Sequence, residues 1–322
     1  MAASVHRTRS VRCTWASGWF RPQTSMVAVR AATAGDLGEI RRLLAHGRRL
    51  YRATGDEDLP GLVERQVAVV GEEASQLWGF CALALEKRPP TLPPAAPDRA
   101  YLRMLALAAG YEPAVAGRQL LATAIQLVSG HRWPRLLIAH APEPWLENPL
   151  AAAGFTLAEQ VQTFRLELLS APVGRERPAV APVSLRPLSL TDFDAVAQLD
   201  AAAFDPLWHY GANALGELLF TSRVQVALLD DRIVGYTAIT RHGDEAHLTR
   251  IAVHPEVQGQ QIGRLLLADA IEYAYRDGAR AVTLNTQVSN TRSQQLYRAY
   301  GFRPTRHLLP VYTRLIAPAG GE

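Results

Sequence analysis

Lysine, cysteine and long apolar runs are almost absent from this chain of 322 residues. Lys87 is the only lysine, so nearly all of the positive charge comes from arginine. The two cysteines are Cys13 and Cys81, which is too few for a disulfide framework or a cysteine zinc site. No run of 18 apolar residues occurs, which excludes a transmembrane helix. We therefore expect a protein of a reducing compartment, the cytoplasm, with no membrane association and no bound metal.

The net charge of +4 is confined to the N-terminus. Residues 1–25 contain four arginines and no acid, which leaves 30 basic and 30 acidic side chains in the rest of the chain. A neutral body argues against nucleic acid as a partner. We expect residues 1–25 to be a disordered basic leader; an over-long start before Met26, a transit peptide and a binding arm remain alternatives.

An internal repeat explains a length of about two domains. Three pairs of residues are separated by 156 positions: Arg30 and Arg186, Asp36 and Asp192, Gly79 and Gly235. Further along, the separation falls to 146 for Gly117 and Gly263, and to 147 for Gly154-Phe155 and Gly301-Phe302.

The change in separation is explained by the proline-rich insertion at residues 87–99. The sequence therefore predicts a first repeat at residues 26–169, a Pro-rich linker at 170–182 and a second repeat at 183–317.

In the second repeat, strand patterns alternate with helical patterns. We expect a first helix capped by Thr191 or Asp192, and tight turning at Asp230-Asp231. The other segments are strands at 183–188, 224–230, 232–239, 247–253 and 279–286, and helices at 263–278 and 290–300. This order predicts an α/β fold with a mixed sheet and helices on both faces.

A candidate anion site lies between the strand 247–253 and the helix that follows it. The connecting loop carries Gly259, and the helix begins near Gly263. Free backbone N–H groups at a helix N-terminus, together with the helix dipole, favour a phosphate, and Arg264 adds a positive charge.

A second constellation follows about twenty residues later. Asn290 is placed to cap a helix, and Tyr297 lies two helical turns further on, so both side chains can face the same cleft. The pKa of a tyrosine is near that of a thiol, so its phenol could protonate a leaving thiolate. An ordinary core tyrosine is the alternative for Tyr297.

Together these segments resemble the GCN5-related N-acetyltransferase (GNAT) family over residues 183–317. The resemblance implies two tandem acyl-CoA N-acyltransferase domains, each a mixed, mostly antiparallel sheet flanked by helices, with acetyl-CoA as co-substrate. It further implies that Tyr297 protonates the departing sulfur. The coenzyme contacts that it implies are Ile251, Val253, Gln258, Gly259, Gln260, Gln261, Ile262, Gly263, Arg264, Asn290 and Ser293.

Two positions depart from the family pattern. Gln261 stands where the first loop glycine is usual, so either the backbone there accepts a side chain or coenzyme binding is weaker. Asn285 replaces a glutamate that serves as base in ribosomal-protein acetyltransferases, and an amide cannot accept the proton. Glu245 and His247 are the candidate bases; the alternatives are an exposed turn glutamate and a strand histidine that makes an ordinary hydrogen bond.

The acceptor is expected to be an amine, on a small molecule or on a peptide or protein. The aromatic segment from Phe204 to Tyr210 lies where the family builds its acceptor pocket, or else forms local core. We expect an N-acetyltransferase, either monomer or homodimer. The alternative is an acyl-CoA-binding regulatory or scaffold module with little catalysis.

The first repeat is expected to keep the fold without the chemistry. Glu112 and Pro113 stand at its loop position, where a carboxylate would repel a diphosphate and proline lacks a donor. Leu150 stands where the second repeat has Tyr297.

Overall fold

The computed structural model describes residues 28–88, 92, 96–129, 134–168 and 182–318. The predicted leader, residues 89–91 and 93–95 of the proline-rich insertion, and the linker apart from Pro182 lie outside these residues.

The first repeat contains seven strands and four helices in the described residues. Its strands are β1 (Ala28–Ala31), β2 (Arg49–Arg52), β3 (Val67–Glu73), β4 (Gln76–Glu86), β5 (Asp98–Leu107), β6 (Arg135–His140) and β7 (Thr156–Glu167). Its helices are α1 (Leu37–His46), α2 (Leu59–Arg65), α3 (Pro113–Val128) and α4 (Glu147–Ala152).

The second repeat follows the same order without a counterpart of β2. Its strands are β8 (Ser184–Pro187), β9 (Arg223–Leu229), β10 (Arg232–His242), β11 (Glu245–Val253), β12 (Ala281–Gln287) and β13 (Arg303–Ile316). Its helices are α5 (Phe193–Ala203), α6 (Ala212–Thr221), α7 (Ile262–Arg276) and α8 (Thr291–Ala299).

Local sequence accounts for the main boundaries. Asp192 caps α5 and accepts hydrogen bonds from Arg186 and from the backbone N–H of Ser189. Asp230 and Asp231 both have positive φ, as a two-residue hairpin turn requires. Left-handed Gly278 and Gly301 follow the last turns of α7 and α8.

The described strands form one sheet in the order β1-β3-β4-β5-β6-β13-β7-β12-β11-β10-β9-β8, with β2 paired to β5. The repeats exchange their last strands, since β13 pairs with β6 and β7 pairs with β12. The predicted mixed sheet is therefore present, and it runs through both repeats.

Helices cover both faces of the sheet. In the first repeat, α1 and α2 pack on Phe80 and Met104, whereas α3 and α4 pack on Cys81 and Leu105. Because neighbouring strand residues face opposite sides, this alternation produces two separate apolar cores. Cys81 is buried and unpaired, as a small core residue would be. No helix in the described ranges is long and apolar enough to cross a membrane.

A bulge in β11 opens the sheet beside β12. Its pairing with β10 shifts by one residue at Thr249, and its parallel pairing with β12 ends at Leu248 and Leu284. An unpaired extra residue bends a strand and increases its twist, which separates the two strands beyond this point. The resulting cleft, bounded by the end of β11, is where the candidate site lies.

Candidate active site

The wall of the cleft is the unpaired edge of β11. The N–H of His254 donates to the carbonyl of Val234 on the β10 side. Since backbone groups alternate direction along a strand, those of Ile251 and Val253 point the other way, into the cleft. An extended amide-containing ligand can therefore add to β11 as a further strand would.

The floor of the cleft is the loop that leads into α7. Gly259 has φ +89° and Gln261 has φ +64°, both in the left-handed region. Gln261 is the N-cap residue of α7, so the helix begins with its first N–H groups directed toward the cleft. The backbone at 261 therefore does adopt the conformation that favours glycine, and it does so with a glutamine side chain in place.

Two arginines, Arg264 and Arg292, are the charged residues that line the cavity. Gln258 fixes the second of them. Its side chain accepts from Arg292 Nη1 at 2.8 Å and donates to the carbonyl of Val253 at 3.1 Å. The result is a positively charged rim beside a helix N-terminus, which suits a diphosphate.

The third wall is the first half of α8. Asn290 caps this helix, and its Oδ1 accepts from the N–H of Ser293 at 3.1 Å. Tyr297 lines the cavity while its ring packs between Phe164 and Phe302, with centroid distances of 6.2 and 6.0 Å. Burial raises the pKa of Tyr297 to about 12, although a hydrogen bond with Ser293 acts in the opposite direction. The phenol therefore carries its proton at neutral pH.

These walls enclose a cavity of about 370 Å³. All but Gln260 of the predicted coenzyme contacts line it: Ile251, Val253, Gln258, Gly259, Gln261, Ile262, Gly263, Arg264, Asn290 and Ser293. The structure thus brings together two segments that are separated by more than twenty residues of sequence.

The two candidate bases do not line this cavity. Glu245 forms an ion pair with Arg165, and it lies six residues before Ile251, about 20 Å along an extended strand. His247 Nδ1 lies 2.9 Å from Thr283 Oγ1, and burial lowers the pKa of His247. The bulge at Thr249 also reverses the faces of β11, because Leu248 and Ile251 share one core and His247 faces away from it.

The aromatic segment between α5 and α6 contributes partly to the cavity and partly to local structure. Phe204 lines the cavity, as expected for a pocket. His209 is buried, and burial together with the charge of Arg99 lowers its pKa to about 4. The segment from Phe204 to Tyr210 is therefore part pocket and part local core, the two interpretations that its sequence allows.

Asn285 lies on β12, and its Oδ1 accepts a hydrogen bond from Thr163 Oγ1 at 2.8 Å.

In the first repeat, the position equivalent to the cavity, between α3 and α4, is closed. Glu112 Oε2 accepts from the N–H of Val115 at 2.7 Å, so a carboxylate of the chain caps the helix where an anion would bind. A Cβ on Gly117 would lie 2.6 Å from Pro149, whereas one on Gly263 would meet no atom closer than 3.7 Å. Helices α3 and α4 are thus in direct contact where α7 and α8 leave a cleft.

Sequence reasoning did not identify Arg292. It lies two residues after the cap residue of α8, in a first helical turn that is usually exposed to solvent. Its one signal is that it shares a helix N-terminus with Asn290, which faces the same cleft. Within the described part of the chain, no three His, Cys, Asp or Glu side chains are placed to hold a metal ion.

Comparison with known proteins gives the class. Residues 193–302 match the model of the acetyltransferase (GNAT) family. A Bacillus subtilis protein, provisionally named as a [ribosomal protein bS18]-alanine N-acetyltransferase, is 32% identical over 123 residues, which are 38% of this chain and 81% of that protein. The chain belongs to the GNAT family, and it is an N-acetyltransferase of the kind that uses acetyl-CoA.

Other relatives extend over more of the chain. The mycothiol acetyltransferase of Clavibacter michiganensis is 28% identical over 199 residues, which are 58% of this chain and 64% of that protein. A solved tandem GNAT protein from the clavulanic acid biosynthesis pathway has 22% identity and a TM-score of 0.59, and the match covers 91% of this chain and 99% of that one. That likeness confirms the expected tandem GNAT fold.

Proposed function

We propose that the second repeat binds acetyl-CoA in this cavity and transfers the acetyl group directly to an amine, with Tyr297 as general acid. The observation that carries the proposal is the meeting of three features in one cavity. These are the open edge of β11, the positive loop before α7, and the protonated phenol of Tyr297.

The residues fit the coenzyme by chemistry as well as by position. The backbone groups of Ile251 and Val253 would pair with the amides of the pantetheine arm. The N–H groups from Gln258 to Arg264, with the guanidinium of Arg292, would hold the diphosphate. The thioester supplies the acetyl carbon that is attacked.

In the transfer, the neutral amine nitrogen forms the new C–N bond and the C–S bond breaks. Tyr297 gives its proton to the sulfur, and the amine proton leaves through solvent, because Asn285 cannot accept it. Buffer or water later restores the proton of Tyr297. Glu245 and His247 have no place in this scheme, since neither reaches the cavity.

The acceptor is proposed to be a primary amine that enters beside Phe204. The named relatives act on a ribosomal-protein alanine and in mycothiol acetylation, so both a peptide N-terminus and a small amine belong in a test panel. The two acceptor classes are distinguished by which members of the panel are turned over.

The test is release of coenzyme A thiol by Tyr297→Phe against the parent protein. Phenylalanine keeps the ring contacts with Phe164 and Phe302, so the fold should persist while kcat falls about 10²-fold or more. Tyr300→Phe is the matched control, because Tyr300 is equally buried at the C-cap of α8 but its hydroxyl donates to the carbonyl of Arg264.

An unchanged kcat for Tyr297→Phe under chemistry-limited conditions would refute the assigned role. Binding of acetyl-CoA by calorimetry without turnover of any amine would instead favour the acyl-CoA-binding module. No binding at all would refute both.

A further inference from the structure

One segment of the repeat takes two different positions in the two halves of the molecule. In the first repeat, β2 connects α1 to α2. In the second repeat, residues 204–211, named here the 204–211 loop, connect α5 to α6. The separation of 156 holds on both sides of this connection, so β2 corresponds to residues 205–208. The same stretch is therefore a strand in one repeat and a loop in the other.

In the first repeat this segment fills the groove. Strand β2 pairs with the edge of β5, with Tyr51 opposite Leu105 and Arg49 opposite Leu107. The N–H of Arg48 also donates to the carbonyl of Leu107 at 3.0 Å. Leu105 and Leu107 correspond to Ile251 and Val253, which face the cavity in the second repeat. The chain thus occupies in one half the edge that it leaves open in the other.

Three buried side chains beneath the segment differ between the repeats. The second repeat has Asp200, Tyr236 and Arg250, and the equivalent positions in the first repeat are Leu44, Phe80 and Met104. An apolar trio offers no partner to the backbone above it, so the backbone groups of the segment pair with the strand edge instead.

The polar trio supplies those partners directly. Asp200 accepts from Arg250 through both oxygens at 2.8 Å and also from the hydroxyl of Tyr236. Asp200 further accepts from the N–H of Tyr210 at 2.6 Å, and Arg250 donates to the carbonyl of Trp208 at 2.8 Å. The backbone of the 204–211 loop is therefore hydrogen-bonded to the buried side chains beneath it and not to the edge of β11.

A residue of the first repeat, Arg99, also binds the 204–211 loop of the second repeat. The guanidinium of Arg99 is 3% exposed, donates to the carbonyl of His209 at 2.7 Å and pairs with Glu86 at 2.9 Å. Phe204, which lines the cavity, stacks on Arg250 with 3.5 Å between the guanidinium carbon and the ring centroid. The loop is thereby fixed as a wall of the cavity.

We propose that Asp200, Tyr236 and Arg250, together with Arg99 of the first repeat, hold the 204–211 loop out of the acetyl-CoA groove. They are positioning residues, and without them the loop takes the place that β2 takes in the first repeat. This proposal rests on the proposed function, because it names what keeps that binding site open.

The main test converts the polar trio to the composition of the first repeat in the full chain, as Asp200→Leu/Tyr236→Phe/Arg250→Met. All three changes are made together, because removing one partner alone leaves a buried charge uncompensated. The folded variant should lose acetyl-CoA affinity, and the amides of Ile251 and Val253 should become protected from hydrogen exchange. The amides of Leu105 and Leu107 are the internal reference, protected in both proteins.

Single variants of Arg99 keep the proposal testable if the triple variant does not fold. Arg99→Gln should raise the acetyl-CoA Kd about tenfold. This is the change expected if only about a tenth of the molecules keep the 204–211 loop out of the groove. Arg99→Lys should restore part of the affinity. Arg103→Gln is the matched control, since Arg103 stacks on Tyr101 of the same strand.

The outcomes separate this proposal from the one it rests on. A parent protein that does not bind acetyl-CoA refutes the proposed function. If the parent binds acetyl-CoA, the positioning role is tested by the folded triple variant. That role is refuted if the variant has the same Kd as the parent and its amides at Ile251 and Val253 stay unprotected. An unchanged Kd in Arg99→Gln refutes the part assigned to the first repeat.

Discussion

Gln261→Gly should stabilise the protein, although most substitutions of this kind destabilise. Gln261 has φ +64° and ψ 6°, and a left-handed conformation costs an L-residue about 1–2 kcal/mol. Glycine removes that cost but loses about 0.5–1 kcal/mol more through the freedom of the unfolded chain. We therefore expect a net gain of roughly 0.5–1 kcal/mol.

The assay is equilibrium unfolding in denaturant, with midpoints compared at a constant slope. Gln260→Gly is the matched control, because Gln260 itself does not have a positive φ and the same change should cost about 0.5–1 kcal/mol there. The acetyl-CoA Kd of Gln261→Gly should remain within about twofold of the parent, since the N–H groups of the loop keep their directions. If Gln261→Gly loses as much stability as Gln260→Gly, the left-handed assignment is wrong.

Three further predictions concern binding and pH. Calorimetry should find one acetyl-CoA per chain, because Glu112 and β2 fill the first repeat; two sites would contradict this. Arg292→Gln should weaken acetyl-CoA binding about tenfold, which is the contribution of one charge-assisted hydrogen bond. It should also make the binding less dependent on salt. Arg280→Gln, at an exposed arginine, is the control and should have neither effect. The hydrogen bond from Arg186 lowers the pKa of Asp192, so its stabilisation is present above pH about 4 and is lost as the pH falls. Asp192→Asn should therefore unfold more easily at pH 7, by about 1 kcal/mol, and should show a flatter acid dependence; an unchanged acid profile would exclude the role of this carboxylate.

Much of the fold could be predicted because its signals are local. Asp192, Asn290 and Gly301 mark helix ends through chemistry that acts within a few residues. The repeat could also be read directly, since insertions change spacing without erasing the flanking pattern. The tandem GNAT fold itself was implied by the resemblance of residues 183–317 to that family, combined with the repeat.

The parts that could not be predicted depend on contacts between distant segments. The bulge at Thr249 carries no distinctive residue, yet it decides which face His247 occupies. The strand position of β2 depends on Leu44, Phe80 and Met104 from three separate elements. Neither feature has a local period or a turn residue that would reveal it.

The exchange of final strands gives the first repeat a part in the site even though its own groove is filled. Phe164 lies on β7, and its ring supports Tyr297 of the second repeat. Arg99 lies on β5 and fastens the wall that carries Phe204. Both contacts cross from one repeat to the other, so a change that loosened the first repeat would also displace the phenol and the wall. Although the first repeat has no open coenzyme groove, the positions of Phe164 and Arg99 therefore still matter, because the proposed active site of the second repeat depends on them.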